Sequence, residues 1–380
     1  MQEKWVAAWG CPIVHLKKSC AEWMRNTTIR FTVLPTVPGR AVRLHFSNHF
    51  GQEPATITRA SIGKSAGEQE MDLSCCVPVT FGGAESGRME PGGALVSDAA
   101  ALSFEAGEPL VINLYFEDFT PLTTGQNNSG AYIKKWAATG DCTRLAALPL
   151  NHYAEADAYP FIHTLEVCSA PQAQSIIAFG DSITAQTWPD QLARRLLELG
   201  KTDRAVVRRG ISGSRVLREY ACDFYRHYGP RGIDRFEQEI LAAGAGKVFI
   251  LHGINDIIHP DEADNPFRPA SDLPRAEDLI AGLQTYIDIA HRHQLSVYLA
   301  PILPFEGWRT YSPEREQIRE QVNLWIYRQA QVEGVLPFET AVLNPENPLA
   351  LLPEYDSGDH LHPSLAGAHA LAYSIPEEWL

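Results

Sequence analysis

Four short polar clusters in this chain each carry residue types that could take part in chemistry. Gly180-Asp181-Ser182 follows the apolar run Ser175–Phe179. Arg209-Gly210-Ile211-Ser212-Gly213-Ser214 follows Ala205–Arg208. His252-Gly253-Ile254-Asn255-Asp256 follows Lys247–Leu251. Asp356-Ser357-Gly358-Asp359-His360-Leu361-His362-Pro363 lies beyond the last such run, Val335–Phe338. Together they supply a serine, a glycine that exposes its backbone, a primary amide and an Asp/His pair. Acyl transfer from an ester needs that set. A serine hydroxyl is a weak nucleophile until a base takes its proton. Histidine has the pKa for that task, and a carboxylate must hold its tautomer and stabilise the imidazolium. Asp359 and His362 are three apart, so one turn of chain can bring the carboxylate to the ring nitrogen that faces away from the serine. The candidate donors to the tetrahedral oxyanion are the backbone N–H of Ser182, the backbone N–H of Gly213 and the side-chain amide of Asn255. Gly213 suits a backbone that must approach a ligand closely.

These clusters need a scaffold that brings them to one edge. Residues Ser175–Phe179 are short, apolar and bounded by glycine, the pattern of a buried parallel strand. Further strands are expected at Ala205–Arg208, Lys247–Leu251, Ser296–Ala300 and Val335–Phe338. Helices are expected at Trp188–Leu199, Ile233–Ala243, Arg275–His293, Pro313–Val332 and Ser364–Tyr373. Pro189 in the first turn and Gly200 past the end mark the first helix. Strict β-α alternation predicts an α/β domain, a flavodoxin-like three-layer α/β/α arrangement around a five-stranded parallel sheet. Open sheets of this kind bind ligands at the carboxyl ends of their strands. Residues 1 to about 165 differ. Runs such as Thr28–Val33, Ala41–Phe46, Ala55–Ile62 and Leu110–Phe116 are β-branched and aromatic, with turn clusters between them and no helix. They predict an all-β sandwich or jelly roll. The expected domains are 1–168 and 175–380, joined by a short linker around Cys168–Gln174.

Composition narrows the classes. The chain has 380 residues, 45% hydrophobic and 21% charged, and a net charge of −14. That is a globular composition with length for two domains. The negative charge argues against nucleic acid or an anionic membrane as partner. No apolar run approaches a membrane span, and Met1-Gln2-Glu3-Lys4-Trp5 begins no secretory signal. Seven cysteines (Cys11, Cys20, Cys75, Cys76, Cys142, Cys168 and Cys222) show no C-x-x-C pairing, which fits free thiols in a reducing cytoplasm. The sequons at Asn26 and Asn127 then carry no glycan.

Each cluster also has a plainer reading. Asp181-Ser182 alone would be a capped strand-to-helix turn, and Asn255-Asp256 a turn after a strand. His360 and His362 form an H-x-H pair without a suitably spaced third ligand, so no metal or other cofactor is expected. His291 and His293 sit at a helix end, where histidine meets the dipole. Ser61-Ile62-Gly63-Lys64 matches S-x-x-K but falls in a β segment, and no G-x-S-x-G elbow or glycine-rich phosphate loop is present. Ile183, Trp188 and Leu361 flank the candidate site. They are put forward as lining an acyl pocket, with core packing as the competing role.

The four clusters, in order and spacing, resemble the four blocks of the SGNH hydrolases, also called GDSL-type esterases, over roughly residues 175–375. The resemblance implies Ser182 as nucleophile, His362 as base, Asp359 as its orienting acid, and Ser182, Gly213 and Asn255 as the oxyanion hole. Gly-Ile-Ser-Gly, Gly-Ile-Asn-Asp-Ile and Tyr-Asp-Ser-Gly-Asp-His-Leu-His-Pro are similar to those of a bacterial subgroup of aryl- or acylesterases, some linked with plant-polysaccharide degradation. Trp5–Gly10, Arg43–Asn48 and Pro91–Ser97 resemble that subgroup's N-terminal β region. Many relatives are secreted; this chain shows no export signal, so imported acetylated oligosaccharides suit it better than a polymer. The expectation is a serine esterase acting on small-molecule short-chain esters, foremost O-acetyl groups on carbohydrates. The alternatives are a longer-chain lipase or thioesterase, and a carbohydrate-binding protein without activity. The β domain could bind sugar, wall the site or build a homo-oligomer.

Overall fold

Ile176, Ile177, Ala178 and Phe179 are fully buried in strand β1 (Gln174–Gly180). Burying an isoleucine or phenylalanine contributes roughly 1.5–3 kcal/mol, and a run without polar alternation suits a strand covered on both faces. Strands β2 (Arg204–Gly210), β3 (Ala245–Leu251), β4 (Ser296–Leu299) and β5 (Gly334–Val335) join it in the order β2-β1-β3-β4-β5. The pairs β3–β4 and β4–β5 are parallel. This is the flavodoxin-like order, whose switch point lies between β1 and β3. The intervening helices are α1 (Ser182–Ala185), α2 (Trp188–Glu198), α3 (Gly232–Ile240), α4 (Ile254–Ile258), α5 (Ala276–Arg292), α6 (Pro313–Arg328), α7 (Phe338–Val342) and α8 (Leu365–Ser374).

The structure is a computed structural model that describes residues 3–16, 23–126, 134–149, 153–155, 158–261 and 265–380. Cys20 and Asn127 lie outside them. The other six cysteines are free thiols, and no helix among the described residues is long and apolar enough to cross a membrane. The chain divides into two compact units, Met1–Ser175 with Leu197–Val207, and Ile176–Leu196 with Arg208–Leu380.

The first unit is antiparallel β. One sheet runs Lys4–Gly10, Ile162–Ser169, Gly39–Ser47, Ala94–Val96; a six-stranded sheet runs Tyr153–Glu155, Lys135–Thr139, Thr27–Val33, Leu110–Phe116, Arg59–Lys64, Val77–Val79. In Gly39–Ser47, Val42, Leu44 and Phe46 are buried while Arg43 and His45 are half-exposed, the alternation of a strand with one face on a core. Arg30 is fully buried in Thr27–Val33, and all five of its N–H groups are used. Nε donates to Asn113 Oδ1 at 2.6 Å, and the two terminal nitrogens donate to the carbonyls of Gln69, Ala146, Cys142 and Leu145 at 2.6–3.2 Å.

Four expected elements differ in detail. The run Ala55–Ile62 is two strands, Ala55–Ile57 and Arg59–Lys64. Thr58 divides them, its N–H on Tyr115 O at 2.8 Å and its hydroxyl accepting from Glu117 N at 3.0 Å. Helix α6 stops at Arg328 instead of Val332, because the backbone of Glu333 is taken up by Val297 of β4. The last strand is Gly334–Val335, and Phe338 opens α7 behind Pro337, which has no N–H for a ladder. Helix α3 ends at Ile240. The single-turn helices α1 and α4, and the hairpin of Leu343–Asn344 with Asn347–Leu351, went unread in the sequence.

At the carboxyl ends of β1 and β2 lies the buried side chain of Arg235, from α3. It donates to Gly180 O at 2.8 Å, to Arg209 O at 3.1 Å and to Ser214 Oγ at 3.4 Å, with its guanidinium 4.2 Å above the Phe179 ring. Glu239, 4.0 Å away, is shared with Arg209. Replacing Arg235 by methionine is expected to cost about 3–5 kcal/mol, since it leaves buried acceptors and a carboxylate short of a partner. Urea denaturation checks this; a loss below about 1 kcal/mol would show that the guanidinium does not organise these strand ends.

Candidate active site

Gly180 ends β1 where two elements converge. A Cβ there would stand 2.1 Å from Leu251 O and 2.5 Å from Thr184 Oγ1, so only glycine lets α1 fold back against β3. Asp181 caps α1, its Oδ1 accepting from Ile183 N at 3.1 Å. That places Ser182 at the first position of the helix, 8% exposed. Its Oγ is 2.7 Å from Nε2 of His362, and Nδ1 of His362 is 2.6 Å from Oδ2 of Asp359. Hydroxyl, imidazole and carboxylate therefore form a continuous hydrogen-bonded run. The same three residues were singled out in the sequence, and the structure brings them together.

Asp359 is held by its own loop. Oδ1 accepts from His362 N at 2.8 Å, Leu361 N at 3.0 Å and Ser357 Oγ at 3.1 Å. Burial pushes its carboxyl up, but the backbone N–H and ring of His362 outweigh it and hold the group below its ordinary value. It stays ionised, and so accepts from Nδ1–H and leaves Nε2 facing the serine as acceptor. The loop closes through a bridge of Asp356 to Pro363 and through Ser357 N on His362 O at 2.9 Å. His360 belongs to a separate pair, its Nδ1 2.7 Å from Asp356 Oδ2. Among the described residues no group of three or more His, Cys, Asp or Glu side chains could hold a metal.

Among the described residues the backbone N–H groups of Ser182 and Gly213 have no acceptor within the chain. Gly213 has φ +78°, and a Cβ on it would enter the Tyr228 ring at 2.3 Å. Glycine is thus demanded here by left-handed backbone and by that ring, not only by approach to a ligand. Asn255 lies in α4, buried; one hydrogen of its amide goes to Ser214 O at 3.0 Å, leaving the other for a ligand. His252 Nε2 lies 3.1 Å from the same carbonyl and Nδ1 is 2.9 Å from Tyr286 Oη. Burial, with Arg235 nearby, lowers the His252 pKa to about 3, so the ring is neutral, donating through Nε2 and accepting at Nδ1. Asp256 accepts from Val216 N at 2.7 Å and Leu217 N at 3.0 Å. His252 and Asp256 therefore tie the loop after β2 to the end of β3.

Ile183, Trp188 and Leu361 are almost fully buried. Trp188 packs edge-on against Phe338 at 5.1 Å and donates to Thr184 Oγ1 at 3.3 Å, contacts of a core residue. Sequence reasoning missed Trp308, whose ring stands edge-on to His362 with centroids 6.5 Å apart. It lies in the segment after β4, the one strand end that was passed over, and the rule that ligands meet strand ends applies to it as to the others. Tyr228 was missed too, and no periodicity or motif marks it.

Residues 178–370, just over half of the chain, match the model of the GDSL-like lipase/acylhydrolase family. No curated protein matches the chain. Similar solved structures include an acetylxylan esterase of Geobacillus stearothermophilus, at 18% identity and TM-score 0.39, covering 53% of this chain and 91% of that one. A GDSL-like lipase of Bacteroides thetaiotaomicron aligns at 17% identity and TM-score 0.36, covering 53% and 84%.

Beneath the serine, burial raises the Asp181 carboxyl to about 7, with the Ile183 N–H opposing and Asp256 adding to the rise; its Oδ2 has no partner. An unfolded aspartate ionises near pH ~3.9. Between these values the unfolded carboxyl has released its proton and the folded one has not, so raising pH opposes folding. The stability this group contributes is full below pH ~4 and lost as pH rises through about 7. Asp181→Asn, which mimics the protonated form and keeps a capping side chain, should therefore gain on wild type by on the order of 2–4 kcal/mol from pH ~4 to ~8. Urea titrations at several pH values test this, and a difference constant with pH would count against it.

Proposed function

Since the chain belongs to the GDSL-like lipase/acylhydrolase family, we propose that it is a serine esterase whose nucleophile is Ser182, with His362 as general base and Asp359 as the group that orients it. The observation that carries this reading is the run Ser182 Oγ–His362 Nε2–His362 Nδ1–Asp359 Oδ2, with links of 2.7 and 2.6 Å. His362 takes the hydroxyl proton as Oγ attacks the ester carbonyl, and Asp359 stabilises the imidazolium. The tetrahedral oxygen is received by the N–H groups of Ser182 and Gly213 and the free amide hydrogen of Asn255; one such donor is worth about 10²–10³ in rate. Collapse, with the proton returned from His362 to the leaving oxygen, expels the alcohol and leaves an acyl-serine. Water deprotonated by the same ring attacks that ester, and release of the acid restores the hydroxyl. The substrate is a short-chain ester, foremost an O-acetylated carbohydrate, a choice supported by the subgroup resemblance of the blocks around Gly213, Asn255 and His362.

Hydrolysis of 4-nitrophenyl acetate tests the reaction. Ser182→Ala is expected to lose on the order of 10⁴-fold or more in kcat, and Asp359→Asn on the order of 10²–10⁴-fold. Equal rates for wild type and Ser182→Ala would overturn the esterase reading. Across 4-nitrophenyl esters of increasing chain length, kcat/KM should fall from acetate onward; an optimum at eight carbons or more would replace the acetyl ester with a lipase or thioesterase substrate.

A further inference from the structure

The second unit buries six arginines among its described residues: Arg208, Arg209, Arg215, Arg235, Arg268 and Arg319. Five have a carboxylate. Arg208 pairs with Asp190, Arg209 with Glu239 at 3.0 Å, Arg215 with Asp272 at 3.1 Å, Arg235 with Glu239 at 4.0 Å, and Arg319 with Glu316 at 2.6 Å. Arg268, 7% exposed, has none among the described residues, and its Nε, like those of Arg208, Arg215 and Arg235, makes no hydrogen bond. Arg30 of the first unit also lacks a carboxylate, but five bonds to carbonyls and an amide satisfy it. Arg268 has no such set. Its guanidinium carbon lies 4.5 Å from the Tyr225 ring, 5.7 Å from Tyr220 and 6.0 Å from Tyr228. Aromatic faces offset only part of the cost of removing a cation from water.

This tyrosine cage adjoins the reaction centre. Tyr228 is the ring that a Cβ on Gly213 would strike. It stacks on His259, with centroids 5.6 Å apart and planes 21° from parallel. Tyr220 closes the far side, its hydroxyl on His259 Nδ1. Burial first, then the guanidinium charges of Arg268, Arg215 and Arg309, pull the His259 pKa well down. Tyr220 and Tyr225 are buried, whereas Tyr228 is half-exposed.

We propose that Arg268 is a specificity-determining residue that receives a carboxylate on the alcohol half of the ester, which makes the substrate class acetyl esters of acidic alcohols, such as O-acetylated uronates. The proposal rests on the esterase reading above. A planar carboxylate matches the guanidinium fork, and the tyrosine rings present faces to the sugar or aryl ring that bears it.

The test compares 4-acetoxybenzoate with 4-acetoxybenzamide, which differ at one group, on the full-length protein. Wild type should prefer the carboxylate by about tenfold or more in kcat/KM, mainly through KM. The preference should shrink in ~0.5 M salt, and benzoate, not benzamide, should inhibit competitively. Arg268→Gln should bring the ratio of the two substrates close to one, and Arg268→Lys should restore part of it. A wild-type ratio near one overturns the proposal without any variant. So does an equal fall for both substrates in Arg268→Gln, or a preference seen only for mono-4-nitrophenyl glutarate over 4-nitrophenyl butyrate, which would put the anion on the acyl half. Turnover of none of these esters, in wild type and Ser182→Ala alike, would instead overturn the esterase reading.

Discussion

One buried guanidinium sets the geometry on which the candidate site depends. Arg235 bonds the carbonyl that ends β1 and the one next to the end of β2, and reaches Ser214 in the loop that follows β2. Gly180 O also accepts from Ile211 N at 3.1 Å, so the guanidinium adds to a backbone tie between the two strand ends. The carbonyls of Gly180 and Arg209 share one cation, and that cation is secured by Glu239 and by the face of Phe179. Ser182 and Gly213, carried on adjacent loops, inherit a fixed separation.

A second knot joins the third loop to the second. The Ser214 carbonyl accepts from both His252 and Asn255, so the Asn255 amide is held by the backbone beside Gly213. Burial keeps the His252 ring neutral, so that it donates through Nε2 and accepts from Tyr286 at Nδ1. The fourth loop needs no such tie, since Asp359 collects its own backbone donors and its own imidazole. Three loops are thus locked from below by buried polar groups, and the fourth from within. The site is preorganised, which is the condition under which fixed donors act strongly on a developing charge.

Much of this was legible in the chain. The β1 run is apolar without alternation, which marks a doubly covered strand, and the polar clusters fall where strands end. Asp359 and His362 are close in sequence, so their pairing comes from local geometry. Elements whose limits depend on distant partners were read less well. The end of α6 is set by Glu333 meeting Val297, and the division at Thr58 by Tyr115 and Glu117. Val335–Phe338 was too short a run for its period to separate strand from helix.

Residue types and their order determined the class of fold, the α/β alternation and which serine, histidine and aspartate could act together, because these are properties of local pattern. Tertiary structure decided what surrounds them. That Gly213 is pressed by Tyr228, that Trp308 faces His362, and that Arg268 alone among the six buried arginines described in the second unit lacks a carboxylate results from segments far apart in the chain meeting in space. Burial and charge pairing are relations between such segments, and no single stretch of sequence contains them.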